Sequence, residues 1–373
     1  MPFVDRLITP QEHVPLAPLT TLGVGGSARW FVSARSVDDA AAAIKWSADR
    51  RVPLFVLGGG SNLVVADHGF EGLVLQVALG GVEFQSAGSC TSMRVGAGER
   101  WDDVVAGAVA RGLAGLECLS GIPGTAGGTP IQNVGAYGQD VSGTIGGVTV
   151  LDRSTGATRV LTAGDCHFGY RTSRFKSEDA GRFLVCDVTF QLTGGPPTLV
   201  YDDVLSEFER RRISAPTIAD AREAVLSIRR RKGMVLDPAD SDTRSVGSFF
   251  MNPVVSASHH AHLASSRGGR VPAYELPSGN VKIPAAWLIE QSGFARGFRS
   301  GAAGLSSKHP LAIINRGGAT ASDVLALAVR IKRQVADRFG IWLRPEPVFV
   351  GFTDDSDVAF LQGDEGLNVD TAD

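Results

Sequence analysis

The chain has 373 residues, of which 43% are hydrophobic and 20% are charged, so it is long enough for two or three folded domains. Seven acidic residues and no Lys or Arg follow Thr353, and the 36 basic and 32 acidic residues of the rest of the chain give it a net charge of +4. So small a basic excess argues against nucleic-acid binding and favours a small anionic ligand, while the apolar runs are too short to span a membrane.

The first half of the chain predicts strands that alternate with helices. A capping box at Ser36 and Asp39 marks the start of a helix that runs to about Arg50. A second helix fits residues 101–111. Runs of β-branched and other apolar residues predict strands at 29–35, 52–57, 63–65, 72–77, 148–152 and 183–192.

The pattern changes after residues 194–197, whose sequence is Gly-Gly-Pro-Pro. Helices are predicted at 202–212, 218–231, 285–291 and 321–339, and a strand is predicted around Ser248. The last helix ends at Gly340, and the residues predicted on its buried face are Val324, Ala328, Ile331, Val335 and Phe339. We therefore expect an α+β chain with a boundary near residue 197 and an acidic, disordered tail at 353–373.

A glycine loop, Gly58-Gly59-Gly60-Ser61-Asn62, follows the strand predicted at 52–57. A Rossmann site would need a helix to begin at the last glycine, but Leu63-Val64-Val65 continues as a strand, so this sequence argues against that site. Successive backbone N–H groups in such a loop can hold phosphate oxygens. A plain tight turn explains the loop equally well.

A second glycine-rich run extends from Gly121 to Gly138 and, counted from Ser120, has six glycines in nineteen residues. It also contains the apolar residues Ile122, Ile131, Val134 and Tyr137, which a disordered linker would lack. We predict an ordered loop that folds around a flat or extended ligand. Two such loops in one half of the chain favour a large cofactor that carries phosphate groups.

The segment from Val246 to Pro253, with the sequence Val-Gly-Ser-Phe-Phe-Met-Asn-Pro, places one hydroxyl between a glycine and two aromatic rings. On the local sequence alone, the Ser248 hydroxyl is either a satisfied part of the core or a group that points into a pocket. The choice between the two depends on the rest of the chain.

Cysteine and histidine usage indicates no metal site. The four cysteines, Cys90, Cys118, Cys166 and Cys186, lie far apart without a CxxC pair, which indicates reduced thiols in the cytoplasm. A histidine run at 259–262 lies in a polar stretch without a nearby Cys or carboxylate partner. We interpret that run as part of the surface.

Five motifs occur in the order known from UDP-N-acetylenolpyruvoylglucosamine reductases: the two glycine loops, Phe168-Gly169-Tyr170-Arg171-Thr172-Ser173, the Ser248 segment, and Leu343-Arg344-Pro345-Glu346-Pro347. The chain closely resembles this family from about Pro18 to Phe352. The resemblance implies a vanillyl-alcohol-oxidase-type (PCMH-type) FAD-binding fold at 1–197, in subdomains of about 1–82 and 83–197. It also implies an α+β substrate-binding domain at 198–352, whose last residues, about 341–352, return to the FAD site.

The resemblance also implies a cofactor and a reaction. NADPH reduces FAD, and the reduced flavin gives a hydride to the terminal enolpyruvyl carbon of UDP-N-acetylglucosamine enolpyruvate, which forms UDP-N-acetylmuramate for peptidoglycan. The residues implied to bind FAD are Gly58, Gly59, Gly60, Ser61, Asn62, Leu63, Pro123, Gly124, Gly128, Thr129, Ile131 and Gly135.

Arg171, Ser248 and Glu346 are implied to be catalytic. Hydride addition pushes negative charge toward the adjacent carbon and its carboxylate, and a guanidinium together with a carboxyl group can stabilise the resulting enol-like intermediate. That intermediate is a strong base, so the Ser248 hydroxyl can donate its proton without a histidine partner. Outside this pattern, Arg171 and Glu346 would be read as an ion-pair residue and a loop carboxylate.

The residues implied to bind the substrate are Tyr170, Tyr201, Arg229, Lys232, Asn252 and Gln291. Tyr201 indicates the subgroup with a substrate-covering loop, although residues 213–220 depart from the pattern of that subgroup. Without the resemblance, the basic run at 229–232 is typical of a solvated helix end.

Two alternatives share part of these features. Another FAD oxidase or dehydrogenase of the same fold would share the first half of the chain but has no need of the Ser248 and Glu346 segments. A non-catalytic nucleotide-sugar binder would need neither the paired glycine loops nor a proton donor. We expect a cytoplasmic monomer that binds neither nucleic acid nor a membrane.

Overall fold

A computed structural model describes residues 8–267 and 270–363. The chain divides into two units. Of the described residues, the first unit takes in 8–14, 28–60 and 71–235, and the second takes in 15–27, 61–70, 236–267 and 270–363. None of the helices in the described part of the chain combines the length and the apolar character that a membrane span requires.

The strands in the described part of the chain are β1 (Gln11–Pro15), β2 (Ser27–Ala34), β3 (Leu54–Leu57), β4 (Leu63–Val65), β5 (Phe70–Val77), β6 (Val82–Ala87), β7 (Cys90–Gly96), β8 (Leu113–Ala114), β9 (Gly135–Ala136), β10 (Gln139–Asp140), β11 (Ile145–Asp152), β12 (Thr158–Thr162), β13 (Phe183–Gly194), β14 (Val254–Val255), β15 (Tyr274–Glu275), β16 (Val281–Lys282), β17 (Arg299–Ser300), β18 (Ala303–Leu305), β19 (Ile313–Asn315) and β20 (Val348–Val350). The helices are α1 (Val37–Arg50), α2 (Trp101–Val109), α3 (Thr129–Gln132), α4 (Asp202–Arg211), α5 (Ile218–Arg231), α6 (Ala257–Arg267), α7 (Ala285–Gln291), α8 (Ala321–Phe339) and α9 (Ser356–Gln362).

The first unit contains two main sheets. One has the strand order β1-β2-β5-β3, with β3 and β5 parallel, and the other is antiparallel with the order β12-β11-β13-β7-β6 and with β8 paired to the end of β13. Both sheets and the helices α1 and α2 share one apolar core, to which Ile44, Leu75 and Trp101 belong. The predicted capping box of α1 is confirmed: Ser36 Oγ accepts from Asp39 N–H at 3.1 Å, and the Asp39 carboxylate accepts from Ser36 N–H at 3.0 Å.

The helices α4 and α5 also belong to the first unit, whereas the sequence boundary near residue 197 assigns them to the substrate-binding domain. They pack on each other around a small apolar cluster that includes Cys118, Val204, Phe208 and Val225. Because Cys118 lies between α2 and the second glycine loop, burying these side chains holds both helices in the first unit.

The second unit is built from short strands and one long helix. β4 and β20 are parallel, while β14-β16-β15 and β17-β18-β19 form small antiparallel sheets. The predicted bounds of α8 are confirmed, and Gly340, with a φ of 65°, ends the helix in the left-handed region. The residues predicted on its buried face are all at most 3% exposed: Val324, Ala328, Ile331, Val335 and Phe339.

The strand predicted around Ser248 is absent. Gly247 has a φ of 78°, so the backbone leaves the extended conformation just before the serine. Phe249 N–H donates to the Leu311 carbonyl at 2.8 Å. Phe249 and Phe250 are nonetheless buried, at 0% and 1% exposure. The apolar residues were correctly predicted to be internal, but a glycine turn interrupts the strand.

The helix α9 differs from the expectation of a tail without regular structure beyond residue 353. The Asp355 carboxylate caps it by accepting from the N–H groups of Asp357 and Val358, both at 2.9 Å. Val358 and Leu361 join the core of the second unit, so an apolar face outweighs the acidic composition of this stretch. The rest of the predicted tail, residues 364–373, lies outside the described residues.

A buried lysine closes the other end of α9. Lys332 on α8 is 1% exposed. Its ammonium donates to the carbonyls of Phe360, Leu361 and Gly363 at 2.9, 2.8 and 2.8 Å. These carbonyls lie at a helix end, where no N–H of the helix itself can reach them, so Lys332 satisfies them and is satisfied in return.

Candidate functional site

The first glycine loop joins β3 to β4 without a helix, which confirms the argument against a Rossmann site. Gly60 has a φ of 64°, in the left-handed region that favours glycine. A Cβ atom on Gly59 would lie 2.5 Å from the Cα atom of Gly124. The two glycine loops therefore touch backbone to backbone, and a side chain at position 59 would push them apart.

The second glycine loop is ordered, as predicted, by backbone hydrogen bonds to the connection between β7 and α2. The Gly124 carbonyl accepts from Trp101 N–H at 3.1 Å. In turn, Ala126 N–H donates to Glu99 and Gly127 N–H donates to Ala97, both at 2.9 Å. These bonds fix the loop against the end of the core where α2 begins.

Thr125 lies where the two loops meet. Its Oγ1 atom is 3.1 Å from the position that a Cβ atom on Gly58 would take. This oxygen is buried and has no hydrogen-bond partner among the described residues. A buried hydroxyl left unpaired costs about 1–3 kcal/mol, so the site suits a ligand that brings a hydrogen-bonding oxygen. A buried hydroxyl beside glycine backbone fits the phosphate groups of FAD.

Other residues predicted to bind FAD lie in and after this loop. Gly128 has open space where its Cβ atom would be, and Ile131 is 37% exposed, so both can face a ligand. The Thr129 hydroxyl donates to the carbonyl three residues earlier at 2.7 Å and is used within the loop. Pro123 is half-buried.

A tight hairpin of β9 and β10 ends the loop, with Gly135 opposite Asp140. Its two turn residues, Tyr137 and Gly138, have φ angles of 50° and 83°, which is typical of a type I′ turn. The turn carries the Tyr137 ring to Tyr201, with the ring centroids 5.5 Å apart and the planes at 88°. In the sequence, Tyr137 indicates only an ordered loop, and its place beside Tyr201 was not predicted. The signal that could have indicated it is an aromatic residue at the tip of a glycine hairpin.

Arg171 lies at the tip of another tight turn. Gly169 and Thr172 exchange backbone hydrogen bonds at 3.1 and 3.3 Å, and Arg171 has a φ of 55°. The Asn133 side chain donates to the Gly169 carbonyl at 3.0 Å, which ties this turn to the second glycine loop. The neighbouring Tyr170 is 65% exposed.

Arg229 is a half-buried cation within electrostatic reach of Arg171. Its Nη2 donates to the Met234 carbonyl at 2.7 Å, while its Nε is buried without a hydrogen-bond partner among the described residues. Burial lowers the pKa of Arg229, the positive charge of Arg171 adds to this lowering, and the Tyr137 hydroxyl opposes it. A guanidinium that is destabilised by a second positive charge and that has a buried N–H without a partner among the described residues suits an anionic ligand. The alternative of a fully solvated helix end is therefore wrong for Arg229.

Lys232 and Tyr201 join the same group. Lys232 Nζ lies 5.9 Å from the ring centroid of Tyr137 and donates to the Asp203 carboxylate at 2.7 Å. Tyr201 is the N-cap residue of α4, and Asp203 lies in the first turn of that helix. We call Tyr137, Tyr201, Arg229 and Lys232 the cationic–aromatic cluster.

Glu207 holds α4 on α5 just behind this cluster. It is 2% exposed and accepts from Arg210 at 2.5 Å, from Arg211 at 2.9 Å and from Arg231 of α5 at 2.9 Å. Hydrogen bonds from Arg210 and then from Arg231, Ser227 and Arg211 outweigh the opposing effect of burial and lower the pKa of Glu207 to about 2. The carboxylate is therefore ionised throughout the physiological pH range.

Asp102 on α2 was not predicted, and nothing in its local sequence marks it. Its carboxylate accepts from Gly121 N–H at 2.6 Å and from both terminal nitrogens of Arg222 at 2.6 and 2.9 Å. Burial acts to raise the pKa of Asp102, but the bonds from Arg222 and Gly121 outweigh it and hold the pKa below its usual value. Asp102 thereby links the start of the second glycine loop to the helix that carries Arg229.

In the second unit, the segments around Ser248 and Glu346 run side by side. Two backbone hydrogen bonds join them and form an antiparallel bridge between Phe250 and Pro345: Met251 N–H donates to the Arg344 carbonyl at 3.0 Å, and Glu346 N–H donates to the Phe249 carbonyl at 2.9 Å. Ser248 and Glu346 are each half-buried. The structure thus brings together two residues that are far apart in the sequence and were both predicted to be catalytic.

The residues Ser61, Asn62 and Leu63 lie in the same unit as Glu346. The Asn62 side-chain amide donates to the Glu346 carbonyl at 3.2 Å, and Val348 N–H donates to the Asn62 carbonyl at 3.0 Å. Leu63 begins β4, which pairs with β20. The end of the first glycine loop is therefore fixed against the Glu346 segment.

Asn252 and Gln291 lie at opposite ends of α7. The Asn252 side-chain oxygen accepts from Ala285 N–H at 2.9 Å at the start of the helix, and Gln291 is its exposed last residue. Six steps of helix separate these ends by about 9 Å. The structure does not bring these two residues together at one point.

Among the described residues, no three His, Cys, Asp or Glu side chains are grouped so that they could hold a metal ion. The histidine run lies on α6, where His260 bonds the Val271 carbonyl through Nε2 at 3.0 Å.

Two family models match the chain. Residues 28–162 match an FAD binding domain, and residues 237–350 match the C-terminal domain of UDP-N-acetylenolpyruvoylglucosamine reductase. The predicted fold class, a vanillyl-alcohol-oxidase-type FAD-binding fold followed by an α+β domain, is thereby confirmed.

Similar proteins cover almost the whole chain. A UDP-N-acetylenolpyruvoylglucosamine reductase of Thermobifida fusca is 50% identical over 92% of this chain and 98% of its own length. One of Mycobacterium tuberculosis is 47% identical over 91% and 95%. The crystal structure of the Thermus caldophilus reductase aligns with a TM-score of 0.62 at 28% identity, covering 92% of this chain and all of its own.

Proposed function

The chain belongs to the UDP-N-acetylenolpyruvoylglucosamine reductase family, and from this premise we propose how its residues carry out the reaction. The chain is an FAD-dependent oxidoreductase that reduces UDP-N-acetylglucosamine enolpyruvate to UDP-N-acetylmuramate with NADPH, a step of peptidoglycan precursor synthesis. The structural observation that carries this function is the backbone contact between the two glycine loops at Gly59 and Gly124, with the buried Thr125 hydroxyl beside it.

FAD, when bound at these loops, supplies the hydride transfer between NADPH and the enolpyruvyl substrate. The backbone N–H groups of residues 58–62 hold its pyrophosphate, since glycines leave the amides open to close approach. Thr125 donates its hydroxyl to a cofactor oxygen. Gly128 and Ile131 belong to the second glycine loop and contact the cofactor there, since Gly128 has open space at its Cβ position and Ile131 is partly exposed.

Arg171 grips the carboxylate of the enolpyruvyl group. Its turn is anchored to the second glycine loop through Asn133, so the guanidinium is positioned by the same loop that lines the cofactor site. A guanidinium can bind a carboxylate with two parallel hydrogen bonds and stabilise the negative charge that develops there. Tyr170, exposed beside it, contacts the same part of the substrate.

Ser248 donates a proton to the carbon next to that carboxylate, and Glu346 hydrogen-bonds the enol-like intermediate. The backbone contacts around Phe249 and Phe250 fix Ser248 and Glu346 relative to each other, which suits two groups that act on one small substrate fragment. The intermediate is basic enough to take a proton from a hydroxyl, so Ser248 needs no activating base.

The cationic–aromatic cluster binds the UDP part of the substrate. Arg229 and Lys232 neutralise the pyrophosphate, and Tyr201 covers it from the N-cap position of α4. The unused Nε donor of Arg229 supports this role, because a phosphate oxygen would satisfy it. Asn252 and Gln291 contact other parts of the substrate, from the two ends of α7.

The test measures the absorbance of the flavin band at about 450 nm while NADPH and then the enolpyruvyl UDP-sugar are added to the purified protein. We expect NADPH to bleach the band and the UDP-sugar to restore it. A protein that takes up no FAD would overturn the proposed cofactor site. A protein that reacts with hydroxy acids and oxygen but ignores the UDP-sugar would favour the oxidase alternative.

The variant Ser248→Ala separates the roles within the reaction. NADPH-driven bleaching should stay nearly intact, and reoxidation by the UDP-sugar should be blocked, because only the second step needs the proton. Ser265→Ala is the matched control, since its hydroxyl donates only to the His262 carbonyl within α6. Equal loss of both steps in Ser248→Ala would show that Ser248 is not the proton donor.

We further propose that the protein acts in the cytoplasm as a monomer. Size-exclusion chromatography with light scattering should then report a mass near 39.1 kDa. A mass of twice that value would contradict the monomer.

A further inference from the structure

The ion pair between Asp203 and Lys232 joins the first turn of α4 to the end of α5. Its nitrogen–oxygen distance is 2.7 Å, and the Asp203 and Lys232 side chains are 47% and 40% exposed. The Lys232 ammonium is also near the Tyr137 ring, which packs edge-on against Tyr201. The pair therefore lies inside the cationic–aromatic cluster, and its acidic member carries the wrong charge for an anion site.

A pyrophosphate at this cluster would compete with Asp203 for the same ammonium. Two anions close to each other repel, so the Asp203 carboxylate has to move away from Lys232 when the pyrophosphate binds there. The influence of Asp203 on the cluster is already visible at Tyr137, where burial raises the pKa of the hydroxyl and the Asp203 charge acts in the same direction.

A second contact keeps α4 in place while the first one opens. Glu207, 2% exposed, accepts from Arg231 of α5 at 2.9 Å, and it lies about one helical turn beyond Asp203 on about the same side of α4. Breaking a buried carboxylate pair is costly, whereas an exposed pair contributes little. The Asp203–Lys232 pair can thus be exchanged without releasing the helix that carries Tyr201.

We propose that Asp203 is a positioning residue: it is the counter-ion of Lys232 before substrate binds, and it yields Lys232 to the pyrophosphate of the substrate. This inference rests on the proposed role of Lys232. Before substrate binds, Asp203 holds the Lys232 side chain near Tyr137. The free energy of UDP binding is then reduced by the free energy of breaking this ion pair.

The test is the binding of UDP to the flavin-loaded protein, measured by titration calorimetry for Asp203→Asn. The matched control is Asp202→Asn, which removes the same charge from the same exposed helix end. We expect Asp203→Asn to bind UDP about two- to fivefold more tightly than the control, the size of an exposed ion pair expressed as affinity. Uridine, which has no phosphate, should bind equally to both variants.

The inference would be overturned if Asp203→Asn bound UDP no more tightly than Asp202→Asn. It would also be overturned if Asp203→Asn gained as much affinity for uridine as for UDP. A third variant, Lys232→Met, separates this result from the proposed function. If Lys232→Met binds UDP as tightly as the unchanged protein, the proposed role of Lys232 fails, and the inference fails with it. If Lys232→Met weakens UDP binding while Asp203→Asn matches its control, only the counter-ion role is wrong.

Discussion

The variant Glu207→Gln removes the negative charge that three arginines of α4 and α5 share. In the folded protein the pKa of Glu207 is about 2, against an ordinary value of 4.5. A difference of that size corresponds to about 3 kcal/mol of folding free energy at neutral pH. Arg210 and Arg231 are 62% and 55% exposed, so solvent screening reduces the figure, and we expect a loss of about 1–3 kcal/mol.

The pH dependence has a definite direction. Because the pKa is lower in the folded than in the unfolded chain, Glu207 contributes its full stability above about 4.5, and the contribution is lost as the pH falls toward 2. The difference in unfolding free energy between the original protein and Glu207→Gln should therefore be constant from pH 6 to 8, by this linkage, and should shrink below about pH 4.5.

Urea unfolding of the flavin-loaded protein, followed by circular dichroism at a series of pH values, measures this difference. Hydrogen exchange read by mass spectrometry should place the loss in α4 and α5. Glu209→Gln is the control, because Glu209 lies exposed on the same helix. If Glu207→Gln is as stable as Glu209→Gln at pH 7, or if the gap between them widens in acid, the network does not stabilise these helices.

Two further predictions concern the glycine loops and the thiols. Gly59→Ala should weaken FAD binding about tenfold, since its new methyl group would meet the Gly124 backbone at 2.5 Å. The control is Gly143→Ala, which adds a methyl group in open space. Equal flavin content in both variants would contradict the contact between the loops. Iodoacetamide at about pH 8 should label Cys90 far faster than the other thiols, because burial raises the pKa of Cys118 and Cys186 to about 12 and that of Cys166 to about 11. Peptide mapping that finds comparable labelling at a buried thiol would refute this reasoning.

Local signals predicted the elements that they control. The capping box at Ser36 and the apolar spacing of α8 depend on residues within a few positions of each other, and both were predicted correctly. The glycine loop after β3 was likewise recognised as unlike a Rossmann loop from the strand residues that follow it. In each case the deciding interaction is short-range in the sequence.

Long-range contacts explain what the sequence could not predict. Asp102 acts through Gly121 and Arg222, which lie elsewhere in the chain, so no pattern around Asp102 marks it. The strand predicted around Ser248 does not form because Gly247 has a left-handed backbone conformation. The neighbouring apolar residues favour a strand and give no sign of that conformation. The pairing of the Ser248 and Glu346 segments was only implied by the family resemblance, because it requires backbone contacts between distant parts of the chain.

The contacts of the buried Lys332 ammonium limit how far the chain can be shortened at its C-terminal end. The matched C-terminal domain ends at residue 350, and a truncation placed there would remove the carbonyls of Phe360, Leu361 and Gly363 that receive the three protons of this lysine. The cut would also remove Val358 and Leu361 from the apolar core of the second unit, and burying one such side chain contributes about 1.5–3 kcal/mol, a large part of the stability of a domain. A chain cut at residue 350 would therefore have a lower free energy of unfolding. An expressed chain should extend at least through Gly363.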